Sequence, residues 1–134
     1  MMKTLLIYGA AGYTGRMIAA QATTAGLSII VAGRKEPPLA ALAESLDAGM
    51  RVFSLEDKSE LSHQLEGVSV VLNCAGPFVG TAEPLMKACI AQGIHYLDIT
   101  AEINVYRLAE SLGDVAARAC LIWALSPFTP WALT

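Results

Sequence analysis

Short apolar blocks alternate with longer amphipathic stretches along this chain. Leu5-Leu6-Ile7-Tyr8 is a continuous apolar run, the pattern of a strand buried on both faces of a parallel sheet. Arg16 to Ala25 reads as a helix, and Gly26 stands where a C-terminal cap belongs. Ser28-Ile29-Ile30-Val31-Ala32 predicts a second strand, Gly33 to Pro38 a loop, and Leu39 to Leu46 a helix with one apolar face. Arg51-Val52-Phe53-Ser54 predicts a short strand near a sheet edge, and Ser59 to Leu65 a short helix. Val68 to Asn73 carries the strongest strand pattern and runs into a loop over Cys74 to Phe78. Pro84 to Gln92 predicts a helix with proline in its first turn and Gly93 past its end. His95 to Ile99 predicts a fifth strand, Val105 to Ala119 a helix interrupted at Gly113, and Leu121 to Leu125 a sixth strand.

Strand and helix thus alternate throughout, which implies an α/β fold: a doubly wound parallel sheet of about six strands, helices on both faces. Residues 1–125 are expected to form this one domain, and residues 126–134 an apolar C-terminal tail. Hydrophobic residues make up 54% of the 134. That exceeds the roughly 45–50% of an ordinary soluble domain and fits a sheet covered on both faces. The tail is expected either to fold back on the sheet edge or to bury itself against a second copy in a two-fold dimer, with Phe128 and Trp131 as the anchors.

The net charge is −3 and the basic residues are scattered, so no nucleic-acid footprint is expected. No apolar stretch is long and clean enough for a membrane span. The apolar start is too short for a signal peptide and runs directly into a glycine turn. Cys74, Cys89 and Cys120 match no metal-binding spacing, so no metal site is expected, and a reduced, cytoplasmic setting follows.

The chemistry concentrates in Gly9-Ala10-Ala11-Gly12-Tyr13-Thr14-Gly15, between the first strand and the first helix. A pyrophosphate must approach the backbone closely there, so a side chain at the approach point is excluded, and the helix offers unpaired N–H groups. Gly12 is the expected close-approach residue, and Gly15 lets the helix pack on the strand. Ala10 stands where the first glycine of G-x-G-x-x-G usually stands, with Gly9 just before it, and Thr14 can donate its hydroxyl to a phosphate. The context, strand before and helix after, is what gives such a pattern meaning.

The second strand of a dinucleotide-binding fold usually ends in Asp or Glu, about 20 residues past the glycines, which binds the ribose of NAD. Here Gly33-Arg34-Lys35 stands at that point. A guanidinium grips a 2′-phosphate where a carboxylate would repel it, so NADP(H) is expected over NAD.

Taken with Ala32-Gly33-Arg34, Asn73-Cys74-Ala75-Gly76-Pro77-Phe78 and His95-Tyr96-Leu97-Asp98-Ile99-Thr100-Ala101-Glu102, the glycine turn completes a series. In that order the blocks resemble the N-terminal NADP-binding Rossmann domain of saccharopine dehydrogenase-like oxidoreductases, including trans-acting enoyl reductases, over roughly Lys3 to Ala119. The resemblance implies that Gly9, Ala11, Gly12, Tyr13 and Thr14 surround the pyrophosphate and that Arg34 meets the 2′-phosphate. It implies that Ala75, Gly76 and Pro77 edge the nicotinamide half, with Thr100 and Glu102 nearby. In that family a Gly-Phe-Asp-like block and a long substrate domain follow, whereas this sequence reads Leu121 to Pro130 and ends at Thr134. Cofactor binding without turnover is therefore expected of these residues alone. A stand-alone nucleotide-binding module acting through a partner is the alternative.

The remaining reactive residue types carry bland expectations. His63 is expected on a solvated helix face and His95 in a structural role at a strand start. Cys74 is expected as a small buried residue, since no base or resolving cysteine accompanies it. Asp98 and Glu102 are expected to cap a helix or hold a loop rather than act as an acid–base pair.

Overall fold

The computed structural model describes residues 3–76, 78–99 and 123–124. The chain order is β1 (Thr4–Tyr8), α1 (Tyr13–Thr24), β2 (Ser28–Gly33), α2 (Glu36–Leu46), β3 (Gly49–Val52), α3 (Lys58–Gln64), β4 (Val70–Asn73), α4 (Phe78–Gln92), β5 (His95–Asp98) and β6 (Trp123–Ala124). The helix expected over 105–119, Pro77, Thr100, Glu102 and the tail at 126–134 lie outside the described residues.

The six strands among the described residues are all parallel, in the order β3-β2-β1-β4-β5-β6. The chain winds outward from β1 to β3, then crosses back to β4 on the other side of β1. The strand order therefore reverses between β1 and β4, and ligands of open α/β sheets bind in the crevice beyond the carboxyl ends at such a point.

The alternation of β1 explains both faces of the sheet. Ile7 packs with Ile29, Val31, Ala19 and Ala22, beneath α1, and with Leu39 and Ala43 of α2. Its neighbours Leu6 and Tyr8 point the other way, into a cluster with Leu61 of α3 and Leu85, Met86 and Cys89 of α4. Leu6, Ile7 and Tyr8 are at most 2% exposed. Full burial of such a side chain contributes ~1.5–3 kcal/mol. The expected two-faced sheet is thus present, with a core on each side.

Several elements differ from the sequence expectation; α1 begins at Tyr13 rather than Arg16 and β4 at Val70 rather than Val68. α2 begins at Glu36 rather than Leu39, with Pro37 and Pro38 in its first turn. Prolines are tolerated there because N–H groups of the first turn have no helical acceptor. β3 lies at the sheet edge as expected but pairs from Gly49 to Val52, two residues early. Phe53 then turns its ring inward against Tyr8, with centroids 5.2 Å apart.

The largest difference is α4, which begins at Phe78 and carries Pro84 inside it. An interior proline costs about 3 kcal/mol or more. Leu85 and Met86, both fully buried, contribute ~1.5–3 kcal/mol each, which offsets that cost. The carbonyl deprived of its helical donor belongs to Gly80, where a β-carbon would meet nothing within 4 Å.

Candidate functional site

Each of the three glycines in the turn meets a different constraint. Gly9 has φ +79°, and a β-carbon on it would stand 2.7–2.8 Å from the backbone N and Cα and from Cβ of Ala75. A β-carbon on Gly15 would stand 2.3 Å from the Gly9 carbonyl oxygen and 2.8 Å from Ala10 Cα. These two glycines are demanded by the fold itself, one for the tight turn and one for seating α1 on it. Gly12 has extended backbone, φ −72° and ψ 171°, and its nearest neighbour for a β-carbon is the Gly9 oxygen at 3.5 Å, ordinary contact. Protein packing does not require glycine at this position.

Gly9, not the position of Ala10, performs the first glycine's task, because the positive φ falls there. Ala10 is fully buried, and its N–H joins that of Gly9 on the Ala32 carbonyl, at 3.2 and 2.9 Å.

Gly12 caps α1 without a side-chain hydrogen bond, and no acidic residue stands in the first turn. α3 is built differently: the Asp57 carboxylate accepts from the N–H groups of Ser59 and Glu60 at 2.9 and 3.2 Å. The α1 N-terminus therefore presents unpaired N–H groups and the positive end of its dipole, the arrangement that takes an anion.

A cleft of about 580 Å³ opens beside this turn, over the carboxyl ends of β1, β2 and β4. Of the residues expected from sequence, Gly9, Ala11, Gly12, Arg34, Ala75 and Gly76 line it. Tyr13 and Thr14 stand exposed at the start of α1, outside the lining, and Gly15 is buried beneath the turn. Tyr8 and Leu39 also line the cleft, as do Ser54, Leu55 and Glu56 from the loop after β3. That loop was missed by sequence reading. It has no motif, and only pairing of β3 with β2 brings it to the cleft.

Arg34 and Lys35 are exposed at the tip of β2 and make no hydrogen bond or ion pair among the described residues. Glu56 is the carboxylate in the lining, so two cations face one anion. Arg34 lies close enough to Tyr8 to oppose the rise in that phenol's pKa caused by burial.

At the other end of the cleft, β4 and β5 end in a buried polar network. Asn73, fully buried, donates from Nδ2 to Thr81 Oγ1 at 3.0 Å and to Tyr96 Oη at 3.1 Å. Its Oδ1 accepts from the Ala75 N–H at 3.0 Å, and Thr81 Oγ1 donates to the Ala75 carbonyl at 2.8 Å. Tyr96 Oη donates to Asp98 Oδ2 at 2.9 Å. Burial, with Asp98 adding to it, pushes the Tyr96 phenol well above its ordinary value. The sequence showed Asn73 and Asp98 near strand ends and Tyr96 within a strand but gave no sign that they meet.

Burial first and Asp98 second raise the half-buried Cys74 thiol from 9.0 to about 11. A redox or nucleophilic thiol is shifted the other way. His63 is exposed and lies 3.2 Å from Glu66, on the surface as expected. No cluster of metal-ligating side chains occurs among the described residues.

A glycine turn feeding an uncapped helix, a basic strand tip and a cleft at the switch point define a dinucleotide-binding Rossmann domain. The family model for the saccharopine dehydrogenase NADP binding domain matches residues 5–120. The chain belongs to that family, and its cofactor is NADP(H).

Saccharopine dehydrogenase-like oxidoreductases from Bos taurus and Homo sapiens are 29% and 28% identical over 117 and 125 residues, 73% and 79% of this chain. The chain spans 27% and 29% of their lengths. A Caenorhabditis elegans relative, 28% identical over 111 residues (73% of this chain and 26% of that protein), is named a lipid droplet localized protein. Among the described residues no helix is long and apolar enough to cross a membrane.

Among solved structures, apo saccharopine dehydrogenase (L-Glu forming) from Saccharomyces cerevisiae superimposes with a TM-score of 0.81 at 17% identity, covering 93% of this chain and 27% of that one. The leucoanthocyanidin reductase–NADPH complex from Vitis vinifera gives 0.68 at 18% identity, covering 91% and 48%. At these identities the likeness is one of fold.

Proposed function

We propose that the cleft holds NADP(H) across the β1–β4 switch point and that the chain is the cofactor-binding part of an NADP-dependent oxidoreductase. The observation that carries this is Gly12. It is the turn glycine that the protein's own packing does not need, and it stands at an uncapped helix N-terminus beside the cleft. Backbone N–H groups at the start of α1 take the pyrophosphate, and Thr14 adds its hydroxyl. Arg34, with Lys35 beside it, pairs with the 2′-phosphate in a charge-assisted contact. The adenosine half then lies over β2 and β3, against Leu39 and Leu55, and the nicotinamide half lies over β4, against Ala75 and Gly76.

Bound there, the cofactor would donate or accept a hydride. This chain's residues supply placement: the glycine turn fixes the phosphates, the basic tip selects the 2′-phosphate, and the 74–76 segment orders the reacting end. Calorimetric titration of the chain with NADPH and NADH tests the reading. NADPH binds more tightly. Absence of binding by either nucleotide refutes the assignment.

A further inference from the structure

Ala75 is held on both of its backbone polar groups by side chains of the chain itself. Its N–H donates to Asn73 Oδ1 and its carbonyl accepts from Thr81 Oγ1, at 3.0 and 2.8 Å. Asn73 and Thr81 are in turn bonded to each other at 3.0 Å, which closes a ring around one residue of the cleft wall. The donor directions are determined throughout. Oδ1 of Asn73 must be the acceptor for the Ala75 N–H, so Nδ2 provides its two hydrogens to Thr81 and Tyr96.

The held residue sits at a tight place. Ala75 abuts Gly9 so closely that a β-carbon there would meet its backbone at 2.7 Å. The Cys74 N–H donates to the Tyr8 carbonyl at 2.8 Å, tying the same segment to the end of β1. The ring around Ala75 thus sets how the β4 loop stands against the glycine turn, and with it the width of the cleft between them.

We propose that Asn73 and Thr81 are positioning residues that clamp Ala75 against the Gly9 turn and so govern affinity for the nicotinamide half of the cofactor, not the adenosine half. The proposal rests on the cofactor placement given above. The asymmetry comes from topology: Arg34 directly follows β2, and the clamp is on β4 and α4, on the far side of β1. A clamp that only stabilised the fold would affect both halves alike.

Thr81→Val keeps the shape and removes the hydroxyl, and Thr81→Ser restores it. Thr81→Ala reads the same loss should valine not be accommodated. Dissociation constants are measured for NADPH and for adenosine 2′,5′-bisphosphate, which lacks the nicotinamide half, with thermal melting to confirm folding. Thr81→Val removes both hydrogen bonds of the hydroxyl, and the expected result is NADPH binding weakened about tenfold or more, since a single hydrogen bond contributes on the order of 1 kcal/mol. Adenosine 2′,5′-bisphosphate stays within about twofold, and Thr81→Ser returns NADPH binding to the wild-type value. Equal weakening of both ligands, or no change in either, overturns the clamp. Failure of the wild-type chain to bind adenosine 2′,5′-bisphosphate overturns the cleft assignment itself, and the clamp with it.

Discussion

Gly9 and Ala75 meet backbone to backbone: a β-carbon on Gly9 would stand 2.7 Å from the Ala75 nitrogen, although 66 residues separate them in sequence. The glycine turn after β1 and the loop after β4 are therefore one structural unit, closed across the switch point by this contact.

The turn glycines separate by consequence. Gly15→Ala drives a methyl into the Gly9 carbonyl, 2.3 Å away. It should destabilise the domain by about 3 kcal/mol, the upper range for overpacking. In Gly12→Val the β-carbon meets only an ordinary contact at 3.5 Å, so the domain should still fold yet lose nucleotide binding. Normal NADPH affinity in Gly12→Val removes the pyrophosphate assignment.

Arg34 is the residue on which the proposed cofactor choice is tested. Arg34→Ala should weaken NADPH by ~1.5–3 kcal/mol, the range for hydrogen bonds to charged groups, and leave NADH nearly unchanged. Parallel titrations decide this; equal losses for the two cofactors show that Arg34 does not contact the 2′-phosphate.

Stability should decline in alkali. Burial raises Cys74 from 9.0 to about 11 and Cys89 from 9.0 to about 12, so the folded chain keeps protons that the unfolded chain releases. Their contribution is complete below pH 9 and is lost as pH rises through 11 to 12. Each thiol steepens the fall by up to about 1.4 kcal/mol per pH unit. Melting temperatures across pH 7 to pH 12 should hold to about pH 9 and then drop, less steeply in Cys89→Ala. A curve that is flat up to pH 11 contradicts the assignment.

The 134-residue chain should bind NADPH without oxidising it in the presence of saccharopine-like or enoyl substrates. Hydride transfer needs a substrate held at the nicotinamide with water excluded, and cofactor placement alone does not achieve that. Substrate-dependent loss of NADPH absorbance by the purified chain would show that these residues include a substrate site.

What the sequence determined by itself was whatever depends on near neighbours. The turn from Gly9 to Gly15 is legible because tight turning, close approach and helix seating each require glycine within a few residues. Arg34 is legible because a strand of known length carries it a fixed distance from that turn. Alternation of apolar blocks revealed the fold class because it reports which faces are buried.

Periodicity does not report which strand lies beside which, and tertiary structure decided that. Pairing of Tyr8 with Asn73 placed β4 beside β1 and created the cleft. Pairing of Gly33 with Val52 brought Ser54, Leu55 and Glu56 to its wall. Register between β4 and β5 set Asn73 beside Asp98, and packing of α4 added Thr81. The early start of α4 was equally hidden, since Pro84 locally signals a helix beginning and only burial of Leu85 and Met86 outweighs it. These contacts join residues that are remote in sequence, and their energy exists only once the chain has closed around them.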